Sequence, residues 1–583
     1  MKTALEQAIA DIVRTHYDIE TAVELTRPEV QFGDYATNIA LQLAGRLGRN
    51  PREIAEEIAA RLREAGKASE ATVAGAGFIN IRLSDVALLE LAKAQPAKPR
   101  EGTTVVIETN NPNPFKAMHI GHAMNAIVAD TIANLLQASG AHTYRVSYHG
   151  DVGLHVGKSM WALLRYVDGD ASKLDVVPAG ERNEFMSRMY AEGSQAYKDD
   201  ETAKAEIAEL AKQSFTREDP LYASVYETVF AWSFMEIDGN MRRLGNQPVE
   251  RKFLESDADM RGVKIVRDNV PTVFQESNGA LVFKGSEHGT FDNAFVSSNG
   301  QGLYAARDLG LIQLKNEQYH PDKSYIITAE EQRDYFKGVL AAAGLCFPEF
   351  KDVTVNIPTG MVKLSTGKMS SRDGGVITIS WLFDQVAEAI RARGGEATED
   401  IMAGALRYAF LKVRVGGDII FDINESVSIQ GNSGPYLQYA HARARSILSK
   451  AQDAAAVHST AASEKRAGEE QADTSGSDIS PAEGAKPLLF DGGEAQTLHP
   501  DERLLLRKLT EYNAAIEKAI DELLPHYICT YLYELAQEFN RFYEKNRVIG
   551  DERQDLRLWL VEAYADTLRS GLTLLGIHAP DRM

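Results

Sequence analysis

The segment 112–122, PNPFKAMHIGH, places two histidines, a lysine and a glycine in one short stretch. Unpaired N–H groups and the dipole at a helix N-terminus attract anions, so such a loop in front of a helix is typical of a phosphate site. Gly121 would let the backbone approach the anion, and the imidazoles of His119 and His122 can donate to phosphate oxygens. The alternative is that both histidines only cap a helix or line a loop, and an HxGH pattern alone does not decide between the two.

A second polar segment, GKMSSRDGG at 367–375, carries two cations between glycines. A loop that brings a lysine and an arginine onto a polyphosphate can stabilise the charge that develops on leaving pyrophosphate. Lys368 and Arg372 are therefore candidates for this role. Taken alone, the segment also fits a basic surface turn.

The elements around these segments have an α/β pattern. An apolar run at 103–109 predicts a buried strand, and apolar rows from about residue 123 to Gly140 predict a helix. Further strands are predicted at 142–148, 325–327 and 353–357, with a helix after Glu331. Alternation of strands and helices favours a parallel sheet with the polar segments in its loops.

The rest of the chain divides by composition. Residues 1–98 combine amphipathic helices, a basic stretch and an alternating strand near 78–83, and 99–380 form the α/β region. A charged helical insertion is predicted at about 165–250, and 381–583 are predicted to be helical. The helical region is interrupted at about 452–500, where Ala, Ser, Glu, Asp and Gly dominate and predict a flexible insertion.

Bulk properties exclude several classes of protein. With 583 residues the chain is too long for a single core, and 44% hydrophobic with 25% charged residues is typical of a globular protein. No apolar run approaches a membrane span, which predicts a cytoplasmic protein without a membrane partner. Cys346 and Cys529 stand far apart, so neither a disulfide framework nor a metal site is predicted. A net charge of −20 does not exclude a nucleic-acid partner, because binding depends on local patches.

The two polar segments, in this order and on an α/β scaffold, resemble the HIGH and KMSKS signatures of the class I aminoacyl-tRNA synthetases. The chain is similar to the arginyl-tRNA synthetase family over nearly its whole length apart from 452–500. The similar segments are GDYATNIALQLAGRLGRNPREIAEEIA, VAGAGFINIRLS, IETNNPNPFKAMHIGH, LYAARDLG, TAEEQRDYFKGVL, AGALRYAFL, GNSGPYLQYAHARARSIL and GLTLLGIHAPDRM. The resemblance implies a Rossmann-like catalytic domain with a helical insertion, an N-terminal α+β additional domain and an all-α C-terminal anticodon-binding domain.

The resemblance also implies the roles of individual residues. Here KMSSR replaces KMSKS, so Arg372 is expected to do the work of the second lysine, and the segment 148–155 lacks the Trp and Gln of a GDWGxQ-type segment. The residues that match the family's arginine contacts are Glu108, Asn113, Tyr304, Asp308 and Gln332. The residues expected at ATP are Pro112, Asn113, Pro114, Lys116, His119, Gly121, His122, Lys368, Met369 and Ser370, and the four expected to assist catalysis are His119, His122, Lys368 and Arg372.

Aromatic and basic residues alternate in the C-terminal region, a mixture that suits an anticodon loop because unpaired bases stack on rings while cations meet phosphates. The resemblance gives this interpretation most of its weight. The residues predicted to contact tRNA are Tyr436, Tyr439, Arg443, Arg541 and Arg547, and the wider set includes His441, Arg445, Tyr543, Lys545 and Arg557.

The implied reaction begins with attack of arginine's carboxylate on the α-phosphate of ATP, which is bound with Mg²⁺, and ends with transfer of the arginyl group to the terminal ribose of tRNA. The expected partners are arginine, ATP and the tRNA for arginine, and we expect a monomer. Three alternatives remain: another class I synthetase, a small-molecule nucleotidyltransferase with an HxGH loop, and an RNA-binding protein that has lost catalysis.

Overall fold

The structure is a computed structural model that describes residues 2–365, 377–469 and 497–583, with only the helical backbone described at 455–469. None of the helices in these ranges is long and apolar enough to cross a bilayer. The chain forms two compact units. The first comprises residues 1–96, 443–514 and 534–568, and the second comprises 97–442, 515–533 and 569–583.

The N-terminal part of the first unit packs helices against a small antiparallel sheet with strand order β1-β3-β2. Its apolar side chains face inward: Ile54, Ile58 and Leu62 form one fully buried stripe. The strand predicted near 78–83 is present as the central strand. The elements are α1 (Lys2–Tyr17), β1 (Tyr35–Thr37), α2 (Ile39–Leu47), α3 (Pro51–Glu64), β2 (Glu70–Ala74), β3 (Phe78–Arg82) and α4 (Asp85–Lys93).

The second unit contains a parallel sheet with strand order β11-β10-β4-β5-β6. The order reverses between β4 and β10, and in open parallel sheets ligands bind in the crevice that this reversal leaves at the carboxyl ends of the strands. The strands of the unit are β4 (Thr104–Asn110), β5 (His142–His149), β6 (Arg251–Leu254), β7 (Phe274–Ser277), β8 (Ala280–Phe283), β9 (Asn293–Val296), β10 (Lys323–Ala329), β11 (Thr354–Thr359), β12 (Val362–Leu364) and β13 (Ile419–Phe421).

Helices cover this sheet and extend from it. The helical stretch at about 165–250 consists mainly of three helices, α7 to α9, and their apolar faces share a buried cluster with α6. The helices are α5 (Ile120–Ala138), α6 (Leu154–Val167), α7 (Arg182–Asp199), α8 (Glu201–Thr216), α9 (Pro220–Arg243), α10 (Glu255–Asp268), α11 (Tyr304–Tyr319), α12 (Arg333–Cys346), α13 (Ile379–Ala392), α14 (Glu399–Leu411) and α15 (Ile423–Ser426).

The four strands predicted in the α/β region are present within one or two residues of their expected ends. The edge strand β6 was not predicted, because Arg251-Lys252-Phe253-Leu254 shows neither an apolar run nor alternation. The antiparallel sheet of β7, β8 and β9 was not predicted either.

The C-terminal region is helical, as predicted, but its interruption differs from the expectation. Helix α16 continues to Glu469, past the predicted boundary at 452, because its Ala-rich sequence has a high helix propensity. Of the predicted flexible insertion, residues 470–496 lie outside the described residues. The helices are α16 (Gly434–Glu469), α17 (Pro500–Leu509), α18 (Tyr512–Glu522), α19 (His526–Lys545) and α20 (Gln554–Leu574), and α16, α18, α19 and α20 contribute to both units.

A buried arginine holds several elements of the second unit together. Arg407 of α14 is fully buried and pairs with Asp130 of α5 at 2.8 Å. It also donates to the carbonyls of Leu244 at 2.9 Å and Leu575 at 2.7 Å. These bonds satisfy the guanidinium in the interior and fix α5, the helix that follows the HxGH loop.

Candidate active site

A cleft of about 760 Å³ lies in the second unit, at the carboxyl ends of β4 and β10. This is the reversal point of strand order, so the cleft lies where the sheet topology predicts a ligand. Its walls include residues that follow both strands, the start of α5 and one face of α11. The predicted site residues among its lining are Glu108, Asn113, His119, Gly121, His122, Tyr304, Asp308 and Gln332.

The HxGH histidines cap helix α5 and also line this cleft. Nδ1 of His119 accepts from the N–H of Gly121, and Nδ1 of His122 accepts from the N–H of His119, both at 3.2 Å. The two rings stack with centroids 3.8 Å apart. A Cβ on Gly121 would lie 3.1 Å from the His119 ring, so the absent side chain leaves room for this fold. The capping and phosphate interpretations are thus compatible.

These contacts fix the protonation of both rings. An Nδ1 that accepts a hydrogen bond carries no proton, so the neutral ring holds its proton on Nε2, which can donate to an anion. Burial lowers the pKa of His119, and it holds the pKa of His122 well below its usual range. The nearby Lys116 lowers both further. Both imidazoles are therefore neutral donors at neutral pH.

The loop before these histidines is anchored to the helical insertion. Phe115 is fully buried and has φ of +65°, a left-handed conformation rare for a bulky residue. Its N–H donates to Ser233 Oγ of α9 at 3.0 Å, and its carbonyl accepts from Ser159 Oγ of α6 at 2.8 Å. Lys116 lies 5.8 Å from the ring centroid of Tyr190. The insertion therefore fixes the shape of the loop.

Three carboxylates also line the cleft and form what we call its carboxylate end: Glu108 and Glu255 are buried, and Asp308 is partly buried. Glu108 pairs with Lys315 Nζ at 2.5 Å and accepts from Asn111 at 2.7 Å. Asp308 accepts from the hydroxyl of Tyr335 at 2.5 Å. The third carboxylate, Glu255 at the start of α10, was not among the predicted site residues and pairs with Arg307 at 2.8 Å.

Burial dominates the electrostatics of this end. It raises the pKa of Asp308 to about 7, with Glu255 and Glu108 adding to the increase while Tyr335 and Lys315 oppose it. Burial likewise raises the pKa of Glu255, and the Arg307 guanidinium opposes this. Carboxylates held out of water in this way favour a cationic ligand that restores their charge balance.

Helix α11 presents Tyr304 and Asp308, which are four residues apart, on one face, and both line the cleft. Tyr304 is largely exposed at the rim, whereas Asp308 lies deep. Asn113 accepts from the N–H of Gly150 at 3.0 Å. A Cβ at Gly150 would come within 2.9 Å of both Asn113 and Glu255, so glycine is needed for their approach.

Tyr148 of β5 also lines the cleft, and sequence reasoning did not assign it a role. Its hydroxyl is buried and forms no hydrogen bond with any residue in the described part of the chain. Burial holds its pKa well above the usual range, and the charges of Asp308 and Glu255 add to this. A buried unpaired hydroxyl beside carboxylates is typical of a site whose partner is a ligand.

Lys368, Met369, Ser370 and Arg372 lie outside the described residues. The chain on both sides of them adjoins the cleft: Val362 and Lys363 of β12 are part of its lining. After the loop, the carbonyl of Ile377 accepts from the N–H of Ile120 at 2.9 Å, and Thr378 forms a bridge with His119.

The predicted tRNA residues fall in both units. In the second unit, Tyr439 is 42% exposed and the Tyr436 ring lies 5.9 Å from that of Tyr533. In the first unit, the Arg443 guanidinium lies 4.8 Å from the ring of Tyr543. Arg541 pairs with Glu538 at 2.9 Å, and Arg547 donates to the carbonyl of Ile549 at 2.9 Å.

Two members of the wider set are structural instead. Arg557 is buried and pairs with Glu502 at 2.9 Å and with Asp551 at 3.1 Å. His441 is fully buried against the carbonyl of Pro580, 2.8 Å away. Neither side chain is available to a nucleic acid, because both are buried and already bonded to groups within the protein.

Among the described residues, no group of three or more His, Cys, Asp or Glu side chains is arranged to hold a metal ion. Cys529 is buried and Cys346 partly buried. Burial raises the pKa of the Cys346 thiol to about 12, so this cysteine is not a reactive thiolate at neutral pH.

Comparison with known families decides between the remaining alternatives. Residues 85–423, more than half of the chain, match the model of the catalytic domain of class I tRNA synthetases of the arginine type. The chain belongs to the class I arginyl-tRNA synthetases. Residues 1–83 match the N-terminal domain of arginyl-tRNA synthetases and 437–583 a DALR anticodon-binding domain. The catalytic match thus ends at 423, beyond the boundary of 380 that the sequence suggested.

Relatives of this synthetase match its sequence over nearly the full length of both chains. It is 26% identical to an arginine–tRNA ligase of Bdellovibrio bacteriovorus, covering 100% of this chain and 98% of the relative. It is 28% identical to an arginine–tRNA ligase of Thermobifida fusca, and the match covers 95% of this chain and 94% of the relative. Arginyl-tRNA synthetase of Thermus thermophilus has the same fold, with a TM-score of 0.77, 24% identity and full coverage of both chains. The Plasmodium falciparum enzyme gives a TM-score of 0.74 at 19% identity, covering 100% of this chain and 99% of that one.

Proposed function

We propose that the cleft joins arginine to ATP, and that the chain then transfers the arginyl group to tRNA as an arginine–tRNA ligase. One observation supports this most: the lining of a single cavity combines two neutral imidazole donors at a helix N-terminus with three carboxylates, two of them buried. The imidazoles suit a polyphosphate and the carboxylates suit a cationic side chain. A substrate pair of ATP and arginine matches both.

The carboxylate end is proposed to hold the arginine side chain. A guanidinium presents a planar fork of five donors, which carboxylates meet in paired hydrogen bonds. Asp308 and Glu108 are assigned to this fork, and Glu255 and the Tyr148 hydroxyl complete its surroundings. Asn113, Tyr304 and Gln332 are assigned to the rest of the amino acid nearer the rim.

The imidazole end is proposed to hold the ATP phosphates. Nε2 of His119 and of His122 donates to phosphate oxygens, and the N-terminus of α5 adds the attraction of its dipole. Because Gly121 has no side chain, the backbone can approach the phosphates closely. The remaining residues assigned to ATP are Pro112, Asn113, Pro114, Lys116, Lys368, Met369 and Ser370.

The first step needs no protein nucleophile. A carboxylate oxygen of arginine bonds to the α-phosphorus while the bond from that phosphorus to the bridging oxygen breaks, and pyrophosphate leaves with its charge. Positioning and charge stabilisation then supply the rate. His119, His122, Lys368 and Arg372 are assigned to that charge, and Mg²⁺ accompanies ATP as part of the substrate.

In the second step, a hydroxyl of the terminal ribose of tRNA attacks the arginyl carbonyl carbon and AMP leaves. Tyr436, Tyr439, Arg443, Arg541 and Arg547 are assigned to tRNA, because rings and cations together suit unpaired bases and phosphates. We retain the division at about 98 and 380 as the proposed organisation. We also propose that the chain acts as a monomer in the cytoplasm, where charged tRNA is consumed.

The proposal is tested through Asp308, with arginine and citrulline as paired substrates. Citrulline replaces the guanidinium with a neutral ureido group of the same shape. Asp308→Asn should lower kcat/KM for arginine by well over tenfold, since breaking a desolvated charge pair costs about 2–5 kcal/mol. Citrulline should lose much less, so the ratio of the two constants falls. Asp238→Asn, an exposed substitution on α9, is the control. A ratio unchanged by Asp308→Asn would refute the assignment.

A further inference from the structure

Lys315 is a fully buried lysine directly behind the arginine end of the cleft. It lies seven residues after Asp308 on α11, so the two side chains project from the same face of the helix. Its ammonium is 2.5 Å from Glu108 Oε1, and neither side chain is more than 1% exposed. A buried ammonium requires a counter-charge, and here that charge is a carboxylate that itself lines the cleft.

The three carboxylates of the cleft differ in the cation with which each forms an ion pair. Glu108 has Lys315 to itself, and Glu255 shares Arg307 with Asp259. Asp308 forms no ion pair with any described residue and accepts only from the neutral hydroxyl of Tyr335. Of the three, Asp308 is therefore the carboxylate that has no cation as a partner among the described residues.

We propose that Lys315 is a positioning residue that determines specificity for a singly charged side chain, because its ammonium pairs with Glu108 and so lets two carboxylates flank one guanidinium. This inference rests on the proposed function of the cleft. Without Lys315, Glu108 and Asp308 would have to share the single positive charge of the substrate. With Lys315, Glu108 has its own cation, and the guanidinium supplies the one that Asp308 lacks.

Every element around the cleft contributes groups to this balance. Those that face Asp308 and Glu108 are Lys315 and Arg307 of α11, Glu255 and Asp259 of α10, Tyr335 of α12, Tyr148 of β5, and Asn111 after β4. Lys315 lowers and Glu108 raises the pKa of Asp308, which burial sets at about 7. Near pH 6, arginine binding should therefore release about one proton per site and citrulline binding none.

The sharpest test is whether removing Lys315 repairs the loss of Glu108. Glu108→Gln leaves the ammonium unpaired beside the cleft, so kcat/KM for arginine should fall by about a hundredfold or more. Asp308 should then be ionised by its new neighbour, and proton release on arginine binding should disappear. Glu108→Gln/Lys315→Met removes both buried charges, so it should recover at least about tenfold of the loss and release about one proton again.

The control variants are Lys315→Arg and Lys264→Met. Lys315→Arg keeps the charge and should retain the preference for arginine over citrulline to within about threefold. Lys264→Met removes an exposed lysine of α10 that pairs with Asp268, and it should change nothing. If Glu108→Gln does not fold, Lys315→Met replaces it, and the preference for arginine over citrulline should then fall at least about tenfold.

Activity and proton release in the full-length protein give outcomes that separate the two proposals. A double variant no more active than Glu108→Gln, or a Lys315→Met preference equal to that of wild type, would overturn the role of Lys315. Wild-type protein that binds arginine and citrulline equally, or releases a proton with both, would instead overturn the arginine cleft itself. If Lys315 had only a structural role, the double variant would be less stable than wild type and its activity would not recover.

Discussion

Asp308→Asn should make the free protein more stable while making it a poorer enzyme. The unperturbed pKa of an aspartate is 3.8, and burial raises that of Asp308 to about 7. The folded state therefore resists ionisation that the unfolded chain accepts, and stability is lost as pH rises from about 4 to about 7. A shift of three pKa units lowers the free energy of unfolding by about 4 kcal/mol at pH 8. About 1.7 kcal/mol of this is already lost at pH 5.

Asparagine does not ionise, and its carbonyl can still accept from the Tyr335 hydroxyl. The free energy of unfolding of Asp308→Asn relative to wild type should thus increase by about 2.5 kcal/mol between pH 5 and pH 8. Equilibrium urea unfolding of both proteins at several pH values measures this difference. Saturating arginine should remove most of it, because the guanidinium stabilises the ionised carboxylate of wild type alone.

Asp238→Asn serves as the control, since Asp238 is half exposed and pairs with Lys252 on the surface. Its stability relative to wild type should not follow the same pH dependence. A difference between Asp308→Asn and wild type that stays constant from pH 5 to pH 8 would refute the reasoning, because it would show that Asp308 ionises freely in the empty cleft.

Three further outcomes are expected. Tyr148→Phe removes a buried unpaired hydroxyl, so unfolding should cost about 1–2 kcal/mol more while kcat/KM for arginine falls; a loss of stability would show that the hydroxyl has a partner in the free protein. Arg407→Met leaves buried Asp130 with only the more distant Arg145, 3.6 Å away, and removes the donor to two buried carbonyls, so it should destabilise by about 3–5 kcal/mol in urea unfolding; an unchanged midpoint would contradict this. His122→Ala should slow adenylate formation by about 10²–10³-fold at saturating tRNA, and wild-type turnover in this variant would exclude a role for the imidazole.

The strands β4 and β10 were predictable because each contains a buried apolar run, and β5 and β11 because β-branched or aromatic residues recur along them. The edge strand β6 was not, since hydrogen bonding to β5 alone holds a four-residue segment that carries two cations. Family resemblance brought the HxGH histidines and Asp308 to one site. The Ala-rich continuation of α16 shows the reverse error, in which missing apolar periodicity was interpreted as missing structure.

The site residues that sequence reasoning missed are those whose roles depend on the fold. Lys315 is seven residues from Asp308, and that spacing was a usable signal once Tyr304 and Asp308 were placed on one helix. Glu255 and Tyr148 gave no such signal, because only the pairing of β5 with its neighbours brings them beside Glu108. Arg557 was wrongly grouped with surface cations, because composition does not show that Glu502 lies buried next to it.

The anchoring of Phe115 has a consequence for engineering. The loop that meets ATP keeps its left-handed residue through the hydroxyl of Ser159 on α6, before the inserted segment, and that of Ser233 on α9, within it. A chimera that exchanged this insertion with that of a relative would therefore also exchange one of the two bonds that shape the loop. The loop should therefore be transplanted together with α6 and α9. A graft that separates them should be repaired by restoring the two serines, and not by changing any residue that contacts substrate.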